Sequence, residues 1–356
     1  MKNKTLFFLQ EDFKYRGWAN ELNKLEYINT LVNKGYYGLS FLVLWKSFFS
    51  KEYSVKAVVI RYLNDRQSFL NSLGNMINDY LIVFSCLIIG TKILWIKHNV
   101  DRETFIYYPW INKIRVDLFE RFSHKIFLTD LLLIKYLKDD LHYKVDWTSF
   151  GVFDNHNLDD AKNTEIHNQV LEFLKKDKEE EFYTGLTITS GFEKFSHFEE
   201  FLPFVEKFNT QQKGRKIRMI IIGSFPSGDF YEEIKKQIMS SKYFLFIQNK
   251  ERIELERYEQ IIDFIYRSVD DKSVSFSLYD AIKLKKPIIT GYKGFISEFV
   301  VHYKVGFSIK DFEKEFHYDL DAFLQKWTGI ESEGFLKKYN WKIGAYQLAK
   351  EIMNLN

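Results

Sequence analysis

Proline and cysteine are scarce in this sequence. Only 4 of its 356 residues are proline, and one, Cys86, is cysteine. A single cysteine excludes an intrachain disulfide and a cysteine-based zinc site, and it fits a reducing compartment. Cys86 lies within the apolar run 81–90, where we expect a small residue of the buried core.

Long apolar runs are also lacking. The longest, residues 80–96, is interrupted by Gly90, Thr91 and Lys92, whereas a membrane-spanning helix needs about 20 apolar residues. The N-terminal segment MKNKTLFFLQ has a basic start but only a short apolar run and no small-residue cleavage site, so no secretory signal is predicted. We therefore expect a soluble, cytoplasmic protein, with peripheral attachment at the inner face of the cytoplasmic membrane as a further expectation.

A strong charge of either sign is absent. The net charge is +3, which is too small to indicate a nucleic-acid partner. Residues 1–155 contain 21 Lys and Arg against 16 Asp and Glu, and the remainder contains 30 against 32. The basic N-terminal half suits an anionic lipid surface or an anionic acceptor, although a solvated basic face is the alternative.

Several cofactor motifs are missing. The sequence contains neither Gly-x-Gly-x-x-Gly nor Gly-x-x-x-x-Gly-Lys-Ser/Thr, which weighs against dinucleotide oxidoreductases and P-loop enzymes. It also lacks His-Glu-x-x-His and an Asp-x-Asp at the end of a strand, and its Asp-Asp pairs read as surface charges. We expect no metal ion and no cofactor.

Strand-type and helix-type segments alternate along the chain. In the first 155 residues the strand-type segments are 5–10, 55–61, 92–97 and 125–129, with a polar loop expected at 11–20 and a helix at 21–33. A turn-like stretch and a charge run between 154 and 181 indicate a boundary, after which strands are expected at 186–189, 217–222, 243–247, 263–266 and 287–290. Such alternation predicts two α/β domains with parallel sheets, 1–155 and 182–335, an interdomain cleft, and a closing helix at 336–356.

One stretch of the second half resembles a known family. Residues 273–300, SVSFSLYDAIKLKKPIITGYKGFISEFV, are similar to the donor-site signature of family-4-like (group 1) GT-B glycosyltransferases. Weaker resemblances are the His-Asn pair in 93–103, the turn 150–155, the segment 256–266 and the last helix with Trp341. The resemblance implies a GT-B fold of two doubly wound Rossmann-like domains, a C-terminal helix that crosses back, and a nucleotide-sugar donor.

Candidate donor-binding residues begin with Ser275 and Ser277. They precede a helix whose free N–H groups accept phosphate oxygens readily, although plain helix capping is the alternative. Asp280, one turn further on, is expected to accept hydrogen bonds from the ribose hydroxyls, or else is a solvated helix carboxylate.

The Gly-rich loop 291–294 supplies the next candidates, since glycine lets backbone approach a ligand closely. By resemblance, Gly294, Phe295 and Ile296 contact the donor sugar or the pyrophosphate. Glu298 is assigned to donor binding as well, with helix capping or holding of the loop as its alternative.

Candidate catalytic residues follow the strand 92–97. His98 and Asn99 are expected to bind the transferring sugar or to orient the acceptor, although a lone histidine is often only a structural hydrogen-bonding group. Asp101, or Glu103 nearby, is a candidate base if the enzyme inverts, because a general base must reach the acceptor hydroxyl.

Two departures from the family pattern are present. The family has an acidic residue eight positions before Asp280, where this chain has Lys272, and it has a basic pair where this chain reads SGFEKFSH at 190–197. Lys194 is the candidate cation for the leaving diphosphate, with His197 as the other choice. These departures keep open a degenerate GT-B binding module without turnover.

The predicted function is therefore a retaining glycosyltransferase, acting from a nucleotide-sugar donor on a glycan or lipid-linked saccharide, in surface polysaccharide or glycoconjugate synthesis. A nucleotide-sugar epimerase is a further alternative, and a DNA-modifying glucosyltransferase is disfavoured by the low charge. Peripheral membrane contact is expected through aromatic and basic residues of one segment, with a buried helix as the alternative: Tyr36, Tyr37, Phe41, Trp45, Lys46, Phe48, Phe49 and Lys51.

Overall fold

The computed structural model describes residues 4–50, 52–101, 103, 105–152, 160–176, 180–189, 197–211, 214–251, 253–311 and 320–353. The chain divides into two compact units. Unit 1 comprises Met1–Gly151, Asp271–Val274 and Lys338–Asn356, and unit 2 comprises Val152–Asp270 and Ser275–Lys337.

Unit 1 is built on a six-stranded parallel sheet with the strand order β2-β1-β3-β4-β5-β6. The strands are β1 (Lys4–Phe8), β2 (Ile28–Val32), β3 (Ser54–Ile60), β4 (Lys92–Lys97), β5 (Lys125–Leu128) and β6 (Val145–Trp147). The helices are α1 (Phe13–Leu22), α2 (Ser40–Phe49), α3 (Phe69–Ile89), α4 (Pro109–Phe122) and the closing helix α12 (Trp341–Met353). Apolar runs such as Ala57, Val58, Val59 and Ile60 are buried completely or almost so, as expected for parallel strands covered on both faces.

Unit 2 repeats this architecture with the strand order β12-β11-β10-β7-β8-β9. The strands are β7 (Phe182–Thr189), β8 (Lys216–Gly223), β9 (Phe244–Gln248), β10 (Phe264–Tyr266), β11 (Ile288–Thr290) and β12 (Gly306–Ser308). The helices are α5 (Asp160–Lys175), α6 (Phe198–Gln211), α7 (Asp229–Ser240), α8 (Phe276–Lys283), α9 (Phe295–His302), α10 (Leu320–Lys326) and α11 (Ile330–Lys338). The prediction of two doubly wound parallel sheets is confirmed.

The segment after β1 differs from the prediction. Residues 13–22, expected as a loop, form α1, and part of the expected helix 21–33 is strand β2. Asp12 starts α1 by accepting a hydrogen bond from the Tyr15 amide (2.8 Å). Gly17 reads as a loop residue but serves packing, because a Cβ there would lie 2.5 Å from the Trp341 ring.

The closing helix α12 belongs to unit 1. Lys4 Nζ donates to the Ile352 and Met353 carbonyls (3.1 Å each), and Thr148 Oγ1 donates to the Gly344 carbonyl (3.0 Å). The predicted return of the last helix to the first domain is confirmed.

Among the described residues, one helix, α3, is long and apolar enough by length and composition to cross a membrane. Its packed face is not lipid-like, because Asp79 is buried there and accepts a hydrogen bond from Arg115 Nε (2.6 Å). Cys86 is buried on this face, as predicted. Gly90, with φ +74°, ends the helix in the left-handed conformation that glycine favours.

Candidate functional site

Each sheet has one point where its strand order reverses, and ligands of doubly wound folds bind there, beyond the carboxyl ends of the strands. In unit 1 the order reverses between β1 and β3, and in unit 2 it reverses between β7 and β10. The loops that follow these strands are therefore the expected location of a ligand site.

His98 lies directly after β4 and is 5% exposed. Its imidazole is sandwiched between the rings of Tyr62 (centroids 4.6 Å apart, 16°) and Phe150 (5.5 Å, 8°). Neither ring nitrogen forms a hydrogen bond with any residue that the structure describes. Burial, with Lys14 and Arg61 nearby, holds the pKa of His98 well below its usual range, so the ring is neutral near pH 7.

Two cations, Arg61 and Lys14, lie against the ring of Tyr62. Arg61 is 1% exposed and donates to Asp12 Oδ1 (2.7 Å) and to the Gln10 carbonyl (3.0 Å). Lys14 Nζ lies 5.0 Å from the ring centroid of Phe150 and 5.6 Å from that of Tyr62. Burial lowers the pKa of Lys14 to about 8, with Asp12 opposing this shift and Arg61 adding to it.

We call this group the unit 1 cluster: Asp12, Lys14, Arg61, Tyr62, His98 and Phe150. Of its members, only His98 was predicted as a site residue. The missed signal is positional, because Asp12 and Lys14 follow β1 while Arg61 and Tyr62 follow β3. The sequence alone does not show that these two loops are neighbours, because this depends on the strand order.

Asn99 and Asp101 face a different place from His98. They line a pocket of about 210 Å³ that also contains Glu103 and Lys97 but not His98. Asp101 Oδ1 accepts from the Lys272 amide (3.3 Å), and the Val100 amide donates to the Lys272 carbonyl (3.0 Å). Asp101 therefore holds the segment Asp271–Val274 of unit 1.

Glu103 is the better candidate base in this pocket. It is 7% exposed, and burial raises the pKa of its carboxyl to about 7. General bases work best when their pKa lies near the operating pH. The side chain of Asp101, by contrast, is exposed.

In unit 2, α8 begins at the carboxyl edge of the sheet. Ser275 is its N-cap, but the hydroxyl forms no capping hydrogen bond and lies 2.8 Å from the Ser277 hydroxyl instead. Ser277 also lines a small cavity with Tyr266 and Arg267 of the β10 end. Both hydroxyls thus lie beside the first amides of α8, and the start of a helix is a favourable place for phosphate oxygens. Asp280 is half-buried one turn further along the helix.

The loop 291–294, hereafter the unit 2 loop, packs tightly on its neighbours. Gly294 has φ +97°, and a Cβ there would lie 2.9 Å from the Val269 carbonyl oxygen. At Gly291 a Cβ would lie 2.3 Å from Glu200 Oε2, which accepts a hydrogen bond from the Tyr292 amide (2.8 Å). Glycine is required at Gly294, where the loop passes the Val269 backbone at positive φ, whereas at Gly291 only the side-chain ends of Glu200 and Ser268 would have to move.

The residues after the unit 2 loop form the first turn of α9. Phe295 and Ile296 are buried (0% and 1% exposed), so neither residue offers side-chain or backbone surface to a ligand. Glu298 is exposed in the same turn. Amides in a first helical turn have no intrahelical acceptor, which makes them suited to anionic oxygens.

Neither a protein-family model nor any curated protein sequence matches this chain. Solved structures match it along almost its whole length. Sucrose-phosphate synthase from Thermosynechococcus elongatus is 10% identical, with 99% of both chains covered and a TM-score of 0.63. The lipopolysaccharide outer core galactosyltransferase WaaB, in its apo form, is 9% identical, with 98% and 99% covered and a TM-score of 0.60.

The chain has the GT-B fold. The UDP-GlcNAc 2-epimerase from Methanocaldococcus jannaschii is also similar, at 12% identity, 99% and 100% coverage and a TM-score of 0.50. Identities this low establish the fold alone, so the chemistry rests on the residues of this chain.

Lys194, the predicted cation for the leaving diphosphate, lies outside the described residues. His197 has two carboxylate neighbours, with Nδ1 2.8 Å from Glu199 Oε1 and Nε2 3.3 Å from Asp270 Oδ1. Lys272 Nζ lies 4.9 Å from the ring centroid of Tyr136 in unit 1. The position of Lys272 is thus explained by its contacts with other residues of unit 1.

Unit 1 of this GT-B chain also carries an exposed apolar surface. Phe49 on α2 is 68% exposed and Phe84 on α3 is 62% exposed. We call this surface the apolar face: Leu39, Leu42, Val43, Trp45, Phe49, Ile77, Tyr80, Leu81, Phe84, Leu87 and Ile88. Tyr37, expected to be exposed with this segment, is buried and donates a hydrogen bond to Asp79. Isolated exposed apolar residues are normal, but this many on two neighbouring helices is typical of an interaction surface.

Proposed function

We propose that the protein is a glycosyltransferase that moves a sugar from a nucleotide-diphosphate-sugar donor to a glycan or lipid-linked saccharide. The observation that carries this proposal is the carboxyl edge of unit 2. There the Ser275 and Ser277 hydroxyls face each other beside the start of α8, where the strand order reverses. The GT-B fold supports the same reading, and the family-4-like resemblance favours retention of the anomeric configuration.

The donor is assigned to unit 2 on chemical grounds. A nucleoside diphosphate leaves while positive charge develops at the anomeric carbon, so preorganised donors around the diphosphate lower the barrier. The first turns of α8 and α9 supply amides, and Asp280 supplies acceptors for the ribose hydroxyls. Lys194 is proposed as the cation, and the reaction is proposed to need no metal ion.

The acceptor is assigned to unit 1. A neutral imidazole donates through one nitrogen and accepts through the other, and both nitrogens of His98 lack partners among the described residues. His98 is therefore proposed to orient hydroxyls of the transferring sugar or the acceptor. Asn99 is proposed to assist from the neighbouring pocket.

We further propose that the apolar face binds the surface of an anionic membrane, at the cytoplasmic side. The helices α2 and α3 contain two charged residues, Lys46 and Asp79, and Asp79 is buried while Lys46 is exposed. An apolar helix face with a basic residue is typical of interfacial helices. A lipid-linked acceptor in surface glycoconjugate synthesis would then be met at the membrane.

An epimerase acting on the free donor is the second candidate, favoured by the similarity to an archaeal UDP-GlcNAc 2-epimerase. Such an enzyme needs no acceptor, whereas the unpartnered His98 and the apolar face of unit 1 both suit one.

Binding of UDP-, GDP-, dTDP- and CMP-sugars, measured by saturation-transfer NMR, tests the donor assignment. We expect one class of nucleotide sugar to bind. The Asp280→Asn variant should bind it at least tenfold more weakly. The control variant Asp229→Asn, which changes an exposed carboxylate in the first turn of α7, should bind it as the wild type does. NMR of the first sugar released distinguishes retention, inversion and epimerisation. If no nucleotide sugar binds, the enzymatic proposal fails and a binding module remains.

A further inference from the structure

The unit 1 cluster holds more positive than negative charge. Lys14 and Arg61 both lie against Tyr62, and the only carboxylate of the cluster is Asp12. Asp12 is already engaged, because it accepts from Arg61 Nη1 (2.7 Å) and from the Tyr15 amide (2.8 Å). One positive charge therefore has no counterion within the cluster.

Lys14 carries this surplus charge. Its ammonium group forms no hydrogen bond or ion pair with any residue in the described part of the chain, and it lies against aromatic faces at 5.0 and 5.6 Å. Cation–π contacts of this kind offset only part of the cost of removing an ammonium group from water.

His98 is the second observation that points to a ligand. Its side chain is buried against the same two rings, and both of its nitrogens lack partners among the described residues. A buried polar atom without a partner costs free energy. One N–H donor of His98 and one ammonium group thus lie within a single cluster, where the unit 1 strand order reverses.

We propose that Lys14 and His98, backed by Arg61, bind a phosphoryl group of the acceptor. A phosphoryl group offers three oxygens and up to two negative charges, so it can accept from the ammonium and the imidazole together and supply the missing counterion. The inference rests on the proposed glycosyltransferase function, since it names the class of acceptor: a phosphorylated sugar or a lipid-linked phosphate.

Methyl phosphate is the probe for this site, with binding followed by ³¹P NMR. We expect saturable binding that Lys14→Met weakens at least tenfold. The matched control is Arg16→Met, since Arg16 lies on the same helix with its side chain 66% exposed and should not matter. Absence of binding, equal binding by the Lys14→Met variant, or equal affinity for acetate would each overturn the proposal.

A competition experiment separates the acceptor from the donor as the source of the phosphoryl group. Methyl phosphate binding should persist in a saturating mixture of UDP, GDP, dTDP and ADP. Displacement by the mixture would assign the cluster to the donor diphosphate and overturn the proposal. Because methyl phosphate binding is measured without a nucleotide sugar, the result is independent of the donor screen.

Thermal unfolding distinguishes a ligand site from a structural cation–π contact. If Lys14 serves a ligand, the Lys14→Met variant should have the same or a higher Tm than the wild type, because an ammonium group without a counterion is removed. A lower Tm would mean that Lys14 serves packing, and the proposal would fail.

The pH dependence follows from the groups that face Lys14, namely Asp12, Arg61, Tyr62 and His98. The pKa of Lys14 is about 8, so the ammonium loses its proton as pH rises through this value. Affinity for methyl phosphate should therefore fall between pH 7.5 and 9.5 in the wild type but stay level in Lys14→Arg, whose guanidinium keeps its charge. An unchanged affinity in the wild type would overturn the assignment.

Discussion

The two units share an architecture but prepare the carboxyl edges of their sheets differently. In unit 1 the edge carries buried charged and aromatic side chains, with Arg61 and His98 5% exposed or less. In unit 2 it carries hydroxyls, glycines and helix starts, and Gly294 adopts φ +97° to let the backbone pass. Projecting side chains can discriminate among acceptors, whereas backbone amides suit the diphosphate of a nucleoside-diphosphate-sugar donor.

The units also differ on their surfaces. The apolar face of unit 1 is made by α2 and α3, whose outward residues include Phe49, Phe84 and Ile88 at 61–68% exposure. In unit 2 the exposed large apolar residues of the described chain are scattered, such as Phe230 on α7 and Val301 on α9. This difference agrees with the proposal that the acceptor, which is assigned to unit 1, is attached to a membrane, whereas the donor, which is assigned to unit 2, is not.

The largest effect is expected for the substitution His98→Phe, which tests the difference between the two sheet edges. The ring stack with Tyr62 and Phe150 would survive, and two unpartnered buried nitrogens would be removed, so stability should not fall. Transfer should fall about 100-fold, since loss of one positioned hydrogen-bonding group in an active site typically costs this much. Initial-rate assays with the donor identified by the screen measure the effect.

Tyr62→Phe is the control for His98→Phe, because it keeps the stack and changes only the phenol. We expect its transfer rate to stay within a few-fold of the wild type. Wild-type activity in the His98→Phe variant would mean that His98 serves packing only. The proposed role of His98 in orienting the sugar or the acceptor would then be wrong.

Gly294→Ala tests the unit 2 edge. The new Cβ would meet the Val269 carbonyl oxygen at 2.9 Å in a backbone conformation of positive φ, which costs about 2 kcal/mol. We expect a comparable loss of unfolding free energy and a roughly 30-fold weaker binding of the donor. Denaturant unfolding and nucleotide titration measure the two effects separately.

Gly334→Ala is the matched control for Gly294→Ala, since a Cβ at Gly334 meets nothing within 4 Å. Within α11 this change should raise stability by about 0.5–1 kcal/mol. Unaltered nucleotide binding in Gly294→Ala would mean that the unit 2 loop does not line the donor site.

The smallest effect is expected at the membrane. Trp45 and Phe49 are 40% and 68% exposed, so the double change Trp45→Ala/Phe49→Ala should leave the fold intact. Sedimentation with anionic vesicles should show about tenfold weaker binding, the equivalent of about 1.4 kcal/mol of lost apolar burial.

Tyr143→Ala removes an aromatic residue of unit 1 that is 81% exposed and lies outside the apolar face. It should bind vesicles as the wild type does. If the double variant also binds normally, the apolar face has another partner, and the contrast between the two surfaces loses its explanation.

Periodicity and strand composition predict much of the fold. Runs such as Ile217 to Ile222 in β8 are almost continuously apolar and leave little choice but a buried strand. The first crossover was missed because Gly17 and the polar residues around it resemble a loop. Only the docking of Trp341, more than 300 residues away, makes glycine necessary there.

Site candidates that are local to one element can be named from the sequence, whereas a cluster that is drawn from several loops cannot. Ser275 and Ser277 are found from the sequence because a helix start follows them directly. Lys14 and Arg61 lie in different loops, and nothing in either loop indicates the other. Asn99 and Asp101 are adjacent in sequence to His98, yet they line another pocket because the chain turns immediately after β4.

By itself, then, the sequence determined the alternation of strands and helices and the two parallel sheets, since each depends on residues close along the chain. The tertiary structure alone decided which side chains gather where the strand order reverses and which apolar residues remain exposed on α2 and α3. Strand order and helix packing bring together residues far apart in sequence, and burial then sets the charge states of Lys14, His98 and Glu103. A local pattern contains neither the neighbours nor the desolvation that produce these properties.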